Sequence, residues 1–178
     1  MARTLCASCE VRRVAIELYR IDDRLIHGQV VVGWGQPLNV GFIVLVDDEV
    51  AGSDWEKELY RMGVPPGVEL FFASVKEAAA GMATWRNDQR PGILLTGDIE
   101  TMRRLVAALP QPGIPAVNVG GIHHRAGRVE KLRYVFLTPE EETGLRALQA
   151  DGVVVTAQDV PSARPLPLRD LLDAGAPK

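Results

Sequence analysis

Short apolar runs alternate with longer segments of helical spacing along most of the chain. Several of these runs are continuous stretches of Val, Ile and Leu, as expected for strands that are buried on both faces. The predicted strands cover residues 14–19, 42–46, 68–72, 93–96, 116–119, 134–137 and 153–156. This alternation predicts an α/β fold: a single-domain, doubly wound, mainly parallel sheet of about seven strands with helices on both faces.

The segments between these runs have the spacing of helices. They cover residues 28–35, 54–62, 75–86, 99–109, 139–151 and 168–172. Thr138 precedes Pro139 and two glutamates, which is the N-cap, first-turn proline and acidic first turn typical of a helix start. Antiparallel pairing is expected within residues 120–137. Because the chain has no internal repeat and no long linker, we expect one domain over residues 14–178, preceded by a disordered extension over residues 1–13.

Composition argues against several classes of function. The 178 residues carry a net charge of -3 and a pI of about 5.6, which disfavours an electrostatic nucleic-acid binder. No apolar run approaches the roughly 20 residues of a membrane-spanning helix, and the N-terminal residues lack the apolar region of a signal peptide, so a cytoplasmic domain is expected. Cys6 and Cys9 precede the first strand, and no second cysteine pair follows. This predicts reduced thiols rather than a redox or zinc site.

The most informative motif is Arg-Ile-Asp-Asp-Arg-Leu-Ile-His-Gly-Gln-Val at residues 20–30. It places His27 where a helix is expected to begin, and the unpaired N–H groups of a helix N-terminus favour an anion such as phosphate. Neutral imidazole is a good nucleophile near pH 7, so His27 is the candidate carrier of a phosphoryl group. We expect Arg24 to neutralise the charge of that group and the N–H groups of Gly28 and Gln29 to bind its oxygens.

Asp22 and Asp23 would repel a phosphate directly. We expect them to orient the loop and the site, one by accepting hydrogen bonds from backbone N–H groups and the other by orienting Arg24 or His27. The alternative is an ordinary surface ion pair between Arg24 and one of the aspartates.

The motif at residues 20–30 resembles the signature of the IIB component of the bacterial sugar phosphotransferase system (PTS), in the mannose/fructose/sorbose family. In that family the histidine that corresponds to His27 is the phosphorylation site. The resemblance extends over about residues 14–172 and includes further similar segments at residues 47–51, 65–68 and 118–122. It implies that Asp47 and Asp48 line the phosphohistidine site or its docking surface.

The resemblance also implies a phosphotransferase. His27 would accept a phosphoryl group from the phosphohistidine of a separate IIA protein and deliver it to a sugar held by the membrane IIC/IID complex. Catalysis would rest on alignment and on stabilisation of charge. No cofactor is implied, and the chain lacks the Gly-rich fingerprints of nucleotide-dependent enzymes, so the phosphate is expected to arrive already activated on a protein. A cytoplasmic location at the inner face of the membrane, through IIC/IID, is implied as well. Self-association as a homo-oligomer is left open.

The loop after the predicted strand 116–119 combines two glycines with a basic tail. Gly120 and Gly121 suit a close approach of the backbone, so this loop is expected to frame the site or to meet a partner. His123 and Arg125 are expected to line the site or to contact an acidic partner. Two adjacent histidines without a third ligand do not predict a metal site.

Two functions of other kinds stay open. One is a regulatory phosphoprotein that is modified on His27 but is not coupled to transport. The other is a receiver-like or nucleotide-binding α/β module that holds Mg²⁺ with Asp47 and Asp48. A receiver also needs a phosphoacceptor aspartate, for which Asp98 is a poor match, and a lysine near the fifth strand, whereas the first lysine after residue 119 is Lys131. If Asp47 and Asp48 hold Mg²⁺, EDTA should abolish the activity of this protein, whereas phosphoryl transfer between histidines should survive EDTA.

Overall fold

A computed structural model of the protein describes residues 15–111 and 113–174. The predicted extension at residues 1–13, with Cys6 and Cys9, lies outside the described residues.

Nine strands and a series of helices follow one another along the described chain. The strands are β1 (Ile16–Ile21), β2 (Phe42–Val46), β3 (Glu69–Ala73), β4 (Gly92–Thr96), β5 (Ala116–Val119), β6 (Val129–Leu132), β7 (Val135–Leu137), β8 (Val154–Ala157) and β9 (Leu166–Pro167). The helices are a π-helix (Gln29–Trp34), α1 (Asp48–Gly52), α2 (Asp54–Met62), α3 (Val75–Arg86), α4 (Ile99–Ala108), α5 (Pro139–Ala150) and α6 (Leu168–Asp173).

Seven of the strands form the main sheet in the order β3-β2-β4-β1-β5-β8-β9. Every pairing in this sheet is parallel except that of β9, which runs antiparallel to β8 at the edge. β1 therefore occupies the centre, between β4 and β5. The predicted seven-stranded, mainly parallel sheet is confirmed.

Apolar packing covers both faces of this sheet. One face packs against α3, α4, α5 and α6, and its fully buried side chains include Met82, Met102, Leu105, Leu145 and Leu171. The other face packs against the π-helix and α1, with Val30, Trp34, Ile43, Val50 and Leu95 in its core. The prediction of helices on both faces is thus confirmed.

Capping residues set the start of several helices. The Thr138 side chain accepts from the Glu141 N–H and the Glu141 carboxylate accepts from the Thr138 N–H, which is a capping box with Pro139 in the first turn. This confirms the predicted start of α5. α3 begins with the same arrangement between Ser74 and Glu77.

Several elements differ from the prediction. Residues 134–137 do not join the main sheet: β7 pairs antiparallel with β6 after a two-residue turn, a connection too short for the crossover that a parallel pair requires. The expected antiparallel pairing within residues 120–137 is confirmed by the same hairpin. The seventh strand of the main sheet is instead β9, which contains Pro167. Proline has no backbone N–H to donate, and an edge strand tolerates this because it has a partner on one side only. α1 was not predicted.

The predicted helix 28–35 exists as the six-residue π-helix rather than as an α-helix. Three consecutive valines and two glycines are poor formers of a regular α-helix. At its end, a Cβ on Gly35 would lie 2.1 Å from the Val31 carbonyl oxygen, so only glycine fits. Across the described ranges, no helix is both long and apolar enough to cross a membrane.

Candidate functional site

The candidate site lies where the loops after the central strands meet. The Asp22 N–H donates to the carbonyl of Thr96, at the end of β4, over 2.9 Å. The Asp23 N–H donates to the carbonyl of Gly121, after β5, over 2.8 Å. These bonds join three loops at the carboxyl edge of the sheet, which is where ligands bind in open α/β sheets.

A buried ion pair anchors this edge. Arg20 and Asp22 are both fully buried, and Arg20 Nη2 lies 2.8 Å from Asp22 Oδ2. Arg20 also donates to the side chain of Asn118 and, over 3.0 Å, to the carbonyl of Gln158, while its guanidinium lies 5.3 Å from the ring of Trp34. Burial lowers the pKa of Arg20, and the Asp22 carboxylate opposes this shift. The two terminal nitrogens of Arg20 thus have partners, as buried charges require, whereas Arg20 Nε is buried without a hydrogen-bond partner among the described residues.

Arg24 is tied to this buried pair and is itself partly exposed. Its Nε lies 3.4 Å from Asp22 Oδ1, which also accepts from the Arg24 N–H over 3.3 Å. Its Nη2 donates to the Gln29 side-chain oxygen, and the Gln29 amide donates to Asp159 over 2.7 Å. The side chain remains 38% exposed. Arg24 is therefore held in place and still open to an anion.

His27 lies on the same loop, three residues beyond Arg24. Its Nδ1 is 2.9 Å from the carbonyl oxygen of Leu25, and its Nε2 is buried without a hydrogen-bond partner among the described residues. Leu25 adopts φ 54°, a left-handed conformation that is uncommon for leucine. Since one ring nitrogen is hydrogen-bonded and the other is covered, chemistry at either nitrogen requires the ring or this loop to shift.

The segment after His27 starts the π-helix. The N–H groups of Val30 and Val31 both donate to the His27 carbonyl over 3.0 Å. The amides of Gly28 and Gln29 precede this hydrogen-bonded turn. Gly28 has a helical φ of -51°, and a Cβ added there would meet nothing within 4 Å. Its backbone conformation therefore does not require glycine.

Asp23 binds a second histidine instead of Arg24 or His27. Asp23 Oδ1 lies 2.6 Å from His123 Nδ1, and Oδ2 accepts from the His123 N–H over 2.8 Å. Arg128 Nη1 lies 3.4 Å from the same carboxylate. Burial works to raise the pKa of Asp23, but the hydrogen bonds from His123 outweigh it and hold the pKa below its ordinary value. Both aspartates therefore accept from backbone N–H groups, and of the two it is Asp22 that contacts the Arg24 side chain.

Gly120 and Gly121 allow the loop after β5 to come close to these charges. A Cβ on Gly120 would lie 2.2 Å from Arg20 Cζ, so a larger residue would collide with the buried guanidinium. A Cβ on Gly121 would lie 3.3 Å from Arg24 Nη2 and 3.1 Å from His123 Cε1. The glycines thus form a concave wall beside the two cationic side chains.

Asp47 and Asp48 use their carboxylates to start helices. Asp47 accepts from the N–H groups of Glu49 and Val50 over 2.9 and 3.0 Å, as the N-cap of α1. Asp48 accepts from the N–H of Val75, the first residue of α3, over 2.9 Å, and from Arg104 over 2.8 Å. Asp47 Oδ2 lies 3.9 Å from the Cβ position of Gly97, which puts this cap at the rim of the site.

Other predicted residues lie on the open side of the loop after β5. Arg125 is exposed. His124 packs edge-on against the ring of Phe136 at 5.7 Å. Within residues 15–111 and 113–174, no group of three or more His, Cys, Asp or Glu side chains is arranged to hold a metal ion.

The match to a known family covers the whole of this architecture. The profile of the "PTS system sorbose subfamily IIB component" matches residues 16–177. The chain belongs to this family. The resemblance seen in the motif at residues 20–30 is thereby confirmed.

Individual members of the family are similar over most of the chain. The sorbose-specific EIIB component of Klebsiella pneumoniae is 32% identical over 153 residues, which is 83% of this chain and 88% of that protein. The crystal structure of the IIBSor domain of the sorbose permease from the same organism superimposes with a TM-score of 0.80 at 28% identity, covering 90% of this chain and 98% of that one. The mannose-specific EIIAB component of Escherichia coli K12 is 33% identical over 162 residues, or 89% of this chain. The chain spans about half, 49%, of that longer relative.

Several site residues of this IIB family member were missed by sequence reasoning: Arg20, Trp34, Asn118, Gln158 and Asp159. A signal existed for one of them. Residues two apart on a strand share a face, so an arginine at the end of an apolar strand and an aspartate two positions later predict an ion pair. Asp159 gave no such signal, because its contacts with Gln29 and Trp34 join residues 130 and 125 positions apart.

Proposed function

We propose that this protein is the phosphocarrier IIB subunit of a sugar-specific PTS, a phosphotransferase that carries its phosphoryl group on His27. In the first step, a nitrogen of His27 attacks the phosphorus of a IIA phosphohistidine, and the donor imidazole leaves as the old P–N bond breaks. In the second step, a sugar hydroxyl attacks the phosphorus on His27 and loses its proton, and His27 is released.

The strongest support is the arrangement of His27 and Arg24 on one loop at the end of the central strand. Arg24 is anchored through its Nε to the buried Asp22 and keeps 38% of its side chain exposed. A guanidinium held in this way stabilises the charge that spreads over the phosphoryl oxygens during transfer, without the cost of ordering it at that moment. Asp22 serves as its positioning residue.

The remaining residues contribute to binding and framing. The amides of Gly28 and Gln29 bind phosphoryl oxygens once the His27 loop shifts. Asp23 orients the loop after β5 through His123. Gly120 lets this loop pack against Arg20, and Gly121 keeps the position beside Arg24 free of a side chain. Asp47 and Asp48 form the rim of the site on the side of β2. No cofactor takes part, because the P–N bond of the donor already supplies an activated phosphoryl group.

The partners follow from the same chemistry. IIB components of this kind work with IIA and with IIC/IID, so the donor here is a IIA phosphohistidine and the acceptor is a sugar held by a membrane IIC/IID complex. The exposed Arg125, with the exposed His123 on the same loop, offers a docking surface to an acidic partner. The protein acts in the cytoplasm and meets the membrane through IIC/IID.

Intact-mass measurement tests this function directly. A IIA protein of the mannose or sorbose type is first phosphorylated with phosphoenolpyruvate, enzyme I and HPr. Wild type, His27→Ala and His124→Ala are then incubated with this phosphorylated IIA, with EDTA present. Wild type and His124→Ala are expected to gain about 80 Da, the mass of one phosphoryl group on a covalent intermediate, and His27→Ala is expected to gain nothing. The adduct should be labile in acid, and NMR of the phosphorylated wild type identifies the ring nitrogen.

Two results would contradict the proposal. The absence of an adduct on the wild type with a competent IIA would exclude the carrier function. Loss of the adduct in EDTA would point instead to metal-dependent chemistry at another site.

A further inference from the structure

We infer that His123 is a second catalytic residue of this site. Protonated and held by Asp23, its imidazolium donates a hydrogen bond from Nε2 to the phosphoryl group while that group moves to or from His27. This rests on the proposed function, because it requires His27 to carry the phosphoryl group.

The first support is the position of the His123 ring beside Arg24. His123 Cε1 and Arg24 Nη2 lie 3.1 and 3.3 Å from the same point, the Cβ position of Gly121. The Arg24 and His123 side chains, together with Asp22 Oδ1 at 3.2 Å, thus surround one glycine, with no side chain at that position to separate them. A phosphoryl oxygen bound by Arg24 Nη2 is therefore within reach of the His123 imidazole.

The second support is the way in which Asp23 holds the ring. Its carboxylate contacts Nδ1 at 2.6 Å and the His123 N–H at 2.8 Å, so both the ring and the backbone of this residue are fixed. The side chain of Asp23 is only 8% exposed, whereas that of His123 is 50% exposed. A buried carboxylate at Nδ1 fixes the tautomer and stabilises the imidazolium, and it leaves Nε2 as the free donor at the surface.

The third support is the charge around the pair. Arg128 lies against Asp23 and donates to the His123 carbonyl over 2.7 Å, and Glu141 holds Arg128 in turn. On the other side, Asp22 and Arg24 border Gly121. His123 therefore faces two carboxylates and two guanidinium groups. An incoming phosphoryl group would add the negative charge that favours its protonated form.

His123 makes no covalent bond in this step. The P–N bond of the donor breaks and the P–N bond to His27 forms, as in the proposed function. The proton of His123 stays on Nε2 and is shared with a phosphoryl oxygen, whose charge grows in the transition state. An imidazole whose Nδ1 donates to Asp23 carries a hydrogen on Nε2 only in its doubly protonated form, so this role requires that form of His123 during transfer.

Single-turnover transfer from phosphorylated IIA to His27 tests this role between pH 6 and pH 8.5. The variants are His123→Ala, His123→Gln, which keeps an uncharged donor, and the matched control His124→Ala, which removes the neighbouring imidazole.

At pH 6.5 we expect His123→Ala to slow transfer about a hundredfold, the lower range for loss of one transition-state donor, and His123→Gln to recover part of this loss. The advantage of wild type over His123→Ala should shrink as the pH rises, because the role requires a hydrogen on Nε2. His124→Ala should follow wild type at every pH. Spectra from ¹H–¹⁵N NMR check the fold of each variant.

Each contrary result has its own meaning. If wild type is phosphorylated on His27 and His123→Ala transfers at the rate of His124→Ala, this role of His123 is wrong and the proposed function stands. The role is also wrong if both His123 variants are slowed by a ratio that does not change with pH, since that is the signature of a structural effect. If wild type accepts no phosphoryl group, the proposed function and the role of His123 fall together.

Discussion

Two Asp-Asp pairs follow strands of the same sheet, and their surroundings differ. Asp22 and Asp23 come directly after β1, in the centre of the sheet, where the Asp22 side chain is fully buried and that of Asp23 is 8% exposed. Asp47 and Asp48 come after β2, nearer the edge, and the side chain of Asp48 is 44% exposed.

The partners differ as much as the burial does. The first pair binds basic side chains: Arg20 and Arg24 at Asp22, and His123 and Arg128 at Asp23. The second pair binds mainly backbone N–H groups at the starts of two helices. The same Asp-Asp sequence thus binds basic side chains after β1 and caps helices after β2. What decides between these roles is whether neighbouring strands bring charged side chains to the carboxylates.

The largest difference between the pairs should appear when a charge is removed. Asp22→Asn leaves the fully buried Arg20 without its counter-ion. Breaking a buried ion pair in this way typically costs about 3–5 kcal/mol. We expect the free energy of unfolding, measured by urea denaturation, to fall by this amount, and phosphoryl transfer to fall with it because Arg24 loses its anchor. A fall of less than about 1 kcal/mol, as at an exposed pair, would mean that the burial of Arg20 does not depend on Asp22.

The arginines that bind the two pairs allow a matched test. Arg24→Gln removes the exposed cation beside Asp22, and Arg104→Gln removes the exposed cation beside Asp48. We expect Arg24→Gln to slow transfer to His27 about 10²–10³-fold, as for other groups that stabilise transition-state charge. Arg104→Gln should transfer at the wild-type rate, and both variants should lose less than about 1 kcal/mol of stability. Equal transfer rates in single-turnover measurements would show that Arg24 is only a surface ion-pair partner.

The sequence predicted the elements whose signals are local. β2 has its predicted bounds, 42–46, because Gly41 and Asp47 enclose a run of five apolar residues that is buried throughout. α3 has its predicted bounds, 75–86, because Ser74 and Glu77 cap its start. α1 was missed although Asp47 is a strong N-cap residue, because the two aspartates were interpreted as a possible site rather than as a helix start.

The site could be predicted only in part, for the same reason. The motif at residues 20–30 places His27 and Arg24 on one loop, since they are close in the chain. The partner of Asp23 is 100 positions away, and a carbonyl that accepts from Arg20 is 138 positions away. Such contacts depend on the order of the strands, which the periodicity of the sequence does not reveal. The partners expected for the two aspartates were therefore neighbours in the chain, with their assignment left open, whereas the fold pairs Asp23 with His123.

The smallest effect should come from the exposed member of the second pair. Hydrogen bonds from the Val75 N–H and from Arg104 hold the pKa of Asp48 below its ordinary value of 3.8. A lowered pKa means that the charged form of Asp48 stabilises the folded protein. This contribution is complete above about pH 5. It is lost as the pH falls below 3.8 and through the lower pKa of Asp48 in the folded protein. Because the side chain is largely solvated, Asp48→Asn should cost less than about 1 kcal/mol at pH 7. Urea denaturation of both proteins from pH 7 to pH 3 should show this difference shrinking only in the acid range. If the difference instead stays constant down to pH 3, the loss comes from packing rather than from the charge of Asp48. The charge of Asp22 would then stabilise the fold, whereas that of Asp48 would not.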